Sequence, residues 1–69
     1  MDYKEFHLKS AKKKSEVVQW FDGSFTRLKQ MNPHLNWANI NRKQVIPAGV
    51  SIMVPKKNVH LIRRYLSLN

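Results

Sequence analysis

The chain has 69 residues, no cysteine and a formal net charge of +9. It is one domain at most, and a domain near this size buries only about 60% of the surface its unfolded chain exposes, so a small core and no deep active-site cleft are expected. Disulfides and thiolate metal sites are excluded, while the share of aliphatic and aromatic residues is high enough for a packed core.

In chain order, residues 1–5 read as an N-terminal extension. Phe6 and Leu8 then alternate with His7 and Lys9 in the period-2 pattern of a short, half-buried strand. Ser10, Ala11 and the run Lys12, Lys13, Lys14 lead to a first helix capped by Ser15, with Val17, Val18, Trp20 and Phe21 on one apolar face. Asp22-Gly23 breaks that helix. Ser24 caps a second, carrying Phe25, Leu28 and Met31, and Asn32-Pro33 ends it because proline disfavours helix in the residue before it.

Residues 34–45 read as a polar loop in which Trp37 and Ile40 are embedded, and Pro47 and Gly49 mark a turn. Val50, Ile52 and Val54 alternate with Ser51 and Met53, giving a second strand closed by Pro55. Asn58 is the candidate cap of a final helix in which Val59, Ile62 and Leu66 share a face with Leu61 and Tyr65.

Two strands alone are marginal in water, so they must pair and be covered. The expectation is an α+β domain over residues 6–55, with an antiparallel pair of strands packed on a helical hairpin. Residues 56–69 form a C-terminal helix or linker. There is no internal repeat or low-complexity segment. No apolar run reaches the length of a membrane span or a signal-peptide core, which places any export signal outside this chain.

The charge is unevenly laid out. Lys4, Lys9 and Lys12 to Lys14 load the N-terminal part, and Arg42, Lys43, Lys56, Lys57, Arg63 and Arg64 load a final third that has no acid. Such a layout attracts polyanions, whether nucleic acid, anionic lipid or an acidic wall polymer, with an affinity that falls as salt rises. A solvated basic surface is the simpler account of the lysines taken alone.

The order and spacing of these segments carry a resemblance. "FHLKSAKKKSEVVQWFDGSFTRLKQMNPHL" followed by "IPAGVSIMVP" resembles a LysM domain. Phe6 to Lys9 stand for its first strand, Val17, Val18 and Phe21 for its first helix, and Ser24 and Leu28 for its second. Met31-Asn32-Pro33 matches the end of that helix, Ile46-Pro47-Ala48-Gly49 the turn before the last strand, and Ile52, Val54 and Pro55 the strand itself. The loop "HLNWANINRKQVIPAG" is long for the family and is similar to LysM modules of membrane-bound lytic murein transglycosylases of the D type. Ala11-Lys12-Lys13-Lys14 departs from the family's usual Gly-Asp-Thr or Gly-Glu-Ser.

The resemblance implies a β-α-α-β fold and binding of glycans that contain N-acetylglucosamine, with bacterial peptidoglycan foremost, in the cell envelope, periplasmic or extracellular. The module would anchor further domains of a parent chain to the wall. It implies a shallow groove with Ser10, Ala11, Lys12 and Lys13 on one wall and Pro33, His34, Leu35, Ile46, Pro47 and Ala48 on the other. Backbone amides would pair with the N-acetyl group there, and small apolar residues would touch its methyl.

Trp37 either stacks on a sugar face or lids the core, and His34 is either a ligand contact or an exposed loop residue. Lys14, beside a helix N-terminus, is a candidate contact for an anion such as a peptide-stem carboxylate or an acidic wall polymer. His7, His34 and His60 are dispersed and lack a carboxylate partner, so no metal or other cofactor is expected. Catalysis is not expected either. A glycosidase needs two carboxylates flanking the bond, whereas Asp2 and Glu5 lie near the terminus and Glu16 and Asp22 face different directions. The alternatives are a small basic nucleic-acid-binding domain and a degenerate LysM fold that docks another protein.

Overall fold

A computed structural model describes the backbone of residues 2–67 and side chains up to Arg63. The elements are β1 (Tyr3–His7), β2 (Lys12–Lys13), α1 (Lys14–Gln19), α2 (Phe25–Met31), α3 (Trp37–Lys43), β3 (Val45–Ile46), β4 (Ser51–Pro55), a short 3-10 turn (Lys56–Asn58) and α4 (Val59–Ser67). The fold class is α+β, as expected: β1 and β4 form an antiparallel pair, with helices covering it.

The pairing sets Phe6 opposite Ile52 and His7 opposite Ser51. Opposite residues share a face, so Ile52 and Val54 point into the core while Ser51 and Met53 are only half buried. The first strand starts earlier than the alternation predicted. Tyr3, Lys4 and Glu5 pair with Pro55, Val54 and Met53, so most of the expected N-terminal extension lies within the sheet. Lys56 N–H donates to Asp2 C=O at 2.8 Å, which carries the pairing one step further.

The largest departure concerns residues 34–45. Instead of a polar loop they form α3 and β3, with Asn36 capping α3 by accepting from Asn39 N–H at 3.1 Å. Trp37 and Ile40, one turn apart, are both buried, and Arg42 and Lys43 stand in the last turn, where positive charge suits the dipole. Gln44 ends the helix in the left-handed region at φ 59°.

Two caps also differ. Ser24 accepts from Arg27 N–H at 3.2 Å, as expected, but α1 begins at Lys14 with Lys13 in the cap position and no side-chain cap, and Ser15 lies inside its first turn. Asn58 does not cap α4. It is buried at the end of the 3-10 turn and donates to Trp20 C=O at 2.8 Å and to Asp22 Oδ1 at 3.4 Å.

The core unites Leu8, Val17, Trp20, Phe21, Leu28, Ile40, Ile46, Ile52 and Val54 with Ile62 of α4. Through Ile62 the C-terminal helix is packed on the domain. The expected contributions of Tyr65 and Leu66 lie outside the described side chains.

Asn32 sits at the centre of this arrangement. Fully buried, its side-chain amide donates to Leu28 C=O at 2.9 Å and Met53 C=O at 3.1 Å, and its Oδ1 accepts from Met53 N–H at 2.6 Å. Its backbone C=O accepts from Trp37 Nε1–H at 2.8 Å. Proline at position 33 stops α2 where this amide can reach β4.

Two stability predictions follow. Asn32→Ala strands the Met53 backbone groups and should cost roughly 2–4 kcal/mol, read as a lower urea midpoint at unchanged m. Asp22 is held below its ordinary carboxyl value of 3.8, first by its hydrogen bond with Lys57, against the opposing effect of burial, and then by Asn58 and the charges of Lys57 and Arg27. A carboxyl with a depressed folded pKa stabilises above its unfolded value and loses that contribution as pH falls through the folded one. Asp22→Asn, which retains tolerance for the φ of 57° at this position, should flatten the loss of thermal stability between pH 4 and the acid limit.

Candidate functional site

The two walls implied by the resemblance meet along one ladder. Beyond β1 and β4, Leu8 N–H donates to Val50 C=O at 2.9 Å and Gly49 N–H to Leu8 C=O at 2.8 Å. The chains then separate over Lys9 to Ala11 on one side and Pro47 and Ala48 on the other. They rejoin where Lys12 pairs with Ile46 and Lys13 with Val45, and Lys14 N–H closes the ladder on Gln44 C=O at 3.0 Å. Gly49, at φ 89°, makes the turn into β4.

Ser10, Ala11, Pro47 and Ala48 are all exposed in this opening. Among the described residues, no intramolecular hydrogen bond engages the backbones of Ser10, Ala11, Pro47 and Ala48. The N–H groups of Ser10, Ala11 and Ala48 and the C=O groups of all four are therefore unpaired, in exposed residues, between two hydrogen-bonded rungs. His34 stands near one end of the opening. It is exposed, and its Nε2 lies 2.7 Å from Ser51 C=O.

Several expected site residues are turned elsewhere. Leu35 and Ile46 are core residues. Lys12 is only 6% exposed, because in a two-residue strand next to exposed Lys13 its side chain takes the inward face and buries its aliphatic stem. Trp37 lids the core: it is 9% exposed, its indole N–H donates to Asn32 C=O, and its ring meets Phe25 edge-on at 5.6 Å and 80°. Pro33 is exposed but lines a separate depression of about 530 Å³ between α2 and α3, together with Phe25, Lys29 and the edge of Trp37.

Lys14 is partly engaged. Its ammonium lies 4.4 Å from the centre of the Phe25 ring and donates to Asn41 Oδ1 at 3.3 Å. With α1 only six residues long, its N-terminus adds little dipole of its own. On α3, Arg42 Nη2 donates to Asn39 Oδ1 at 2.8 Å. Arg42 and Lys43 become neighbours of this region only because residues 37–43 are helical, which a reading of residues 34–45 as a loop does not reveal. The signal was present in the Asn36 cap and the Trp37, Ile40 spacing.

Among the described residues, one ion pair is found, Lys57 with Asp22 at 2.9 Å, and no group of three His, Cys, Asp or Glu side chains could hold a metal. No described helix is long and apolar enough to cross a membrane.

The unequal burial of the three lysines has a measurable consequence. Lys12→Ala should destabilise the fold by roughly 1–2 kcal/mol through lost stem burial. Lys13→Ala should stay within about 0.5 kcal/mol of the parent, both read by chemical denaturation. No family model, curated protein or solved structure matches this chain.

Proposed function

We propose that the chain is a noncatalytic, LysM-like module of the cell envelope that binds N-acetylglucosamine-containing glycan, foremost peptidoglycan, and anchors a partner domain to the wall. The reading is carried by the opening between Lys9 to Ala11 and Pro47-Ala48, where exposed backbone amides have no partner within the described chain. An N-acetyl group offers one donor and one acceptor of matching kind, and Ala11, Pro47 and Ala48 offer small apolar contacts for its methyl.

A flat site of this size binds weakly. Useful affinity would come from repeated modules or a repeating ligand, through effective concentration. Of the four acids, Asp22 is paired with Lys57 and held ionised, which makes it a poor general acid.

A nucleic-acid reading draws on the same cations, but it finds little beyond them. The helices α1, α2 and α3 have six or seven residues each, and both tryptophans are buried.

Titration of the labelled chain with a neutral chitooligosaccharide tests the proposal. The amides of Ser10, Ala11, Ala48 and Gly49 should shift in the range of roughly millimolar ligand, while those of α4 stay still. Ala48→Phe should abolish those shifts with a stability change within about 0.5 kcal/mol. Amides of the opening that stay unmoved at saturating sugar would exclude this function.

A further inference from the structure

Two of the chain's basic runs, Lys12 to Lys14 and Arg42-Lys43, lie far apart in sequence. The β2–β3 ladder joins them at one corner. Lys13 stands opposite Val45, two residues after Lys43, and Lys14 N–H bonds Gln44 C=O. Lys13, Arg42 and Lys43 are exposed, and Lys14 is half buried.

Two of these cations are fixed by neutral acceptors. Asn41 Oδ1 holds Lys14, and Asn39 Oδ1 holds Arg42. An amide oxygen orients a cation without cancelling its charge, whereas a carboxylate would cancel it. Lys57, by contrast, is paired with the carboxylate of Asp22 at 2.9 Å. Glu16 is the acid nearest to the corner in sequence, half buried on α1, and among the described residues it lies within 4 Å of no cation. The corner is therefore a partly preorganised cluster of positive charge that, among the described residues, no ion pair neutralises.

It also adjoins the proposed sugar site. Ala11 is followed directly by Lys12 and Lys13, and Pro47 is preceded directly by the β3 residues that pair with them. A ligand lying in the opening would pass its neighbouring substituents over the corner.

We infer that the corner formed by Lys13, Lys14, Arg42 and Lys43 is an anion site for the carboxylates of peptide branches carried by the bound glycan. This rests on the glycan reading above. It deepens that reading by naming the charged half of the ligand and by adding Arg42 and Lys43, which lie outside the two loops. An acidic branched glycan is favoured over a nucleic acid by the composition of the surface. Leu61, on α4, is the only large hydrophobic residue well exposed among the described residues, and the aromatic ring at the corner, Phe25, is half buried with the Lys14 ammonium over it, so the corner offers bases no open stacking surface.

The test compares three soluble probes on the intact chain by amide-shift titration at low and high salt. The probes are a neutral chitooligosaccharide, a glycan fragment bearing peptide branches with free carboxylates, and the same fragment with those carboxylates amidated. The free-carboxylate fragment should bind roughly fivefold more tightly than the amidated one at low salt, an advantage that shrinks as salt rises. The double variant R42Q/K43Q should lose most of that advantage and keep its affinity for the neutral oligosaccharide.

Equal affinity for the free and amidated fragments would overturn the inference. So would a double variant that retains the full preference, or tighter binding of a single-stranded oligonucleotide than of the acidic fragment at the same salt. Carboxylate-dependent binding without any response to the neutral oligosaccharide would remove the sugar reading and leave the anion site standing. No binding of any fragment would remove both.

Discussion

The amide of Asn32 is the joint on which this small domain turns. One buried side chain satisfies the end of α2 at Leu28 C=O and both backbone groups of Met53 in β4, and the carbonyl of the same residue receives the indole of Trp37 from α3. Three elements distant in sequence are thus tied by directional bonds in a place where water cannot substitute. A buried polar group is costly when unpaired and specific when fully paired, so this residue fixes how the helices sit on the two-stranded sheet. With so few strands, packing of apolar side chains alone would leave that orientation loosely determined.

From this joint follows the placement of α3, and from α3 the shape of the region of interest. Trp37 and Ile40 seat the helix on the core, Gln44 turns the chain, and β3 is delivered against β2. The ladder that results brackets the opening at Ser10, Ala11, Pro47 and Ala48 and gathers the basic side chains beside it. The lysine run is thereby divided in function. Lys12 contributes its stem to the interior, Lys14 covers Phe25, and Lys13 faces solvent with Arg42 and Lys43. Positive charge before the first turn of α1 opposes the dipole of that helix, but a six-residue helix has little dipole to oppose, and the stem packing and cation–π contact offset the cost.

Much of the architecture was legible in the residues. The alternation through Ile52 and Val54, the Ser24 cap and the Asn32-Pro33 stop are local signals with local causes, and each stands where it was read. The departures from local signals share a different origin. Residues 34–45 are polar in bulk, and only two buried contacts, from Trp37 and Ile40, make them a helix. Ser15 has the chemistry of a cap but lost the position when β2 pairing carried the chain into α1 two residues earlier. Asn58 likewise has a capping side chain, but the nearby carbonyl of Trp20 claims it. For the proposed opening, Pro47 and Gly49 are legible as a turn, whereas Ser10 and Ala11 enter only through the resemblance; Lys12, Leu35 and Ile46 enter with them, although their side chains are buried, because sequence order does not say which side of a ladder a side chain takes.

What the sequence determined by itself is the class of the fold, the polarity of its strands and helices, and a basic surface with too few acids to neutralise it. Those properties depend on composition and on periods of two to four residues, which are written along the chain. Only the tertiary structure decided that residues 42–43 stand beside residues 13–14, that one lysine of three is buried, and that the backbone at Ser10 and Ala48 is left unpaired. Each of these depends on contacts across some thirty residues or more, and hydrogen bonding and burial choose among such contacts only once the whole core has closed.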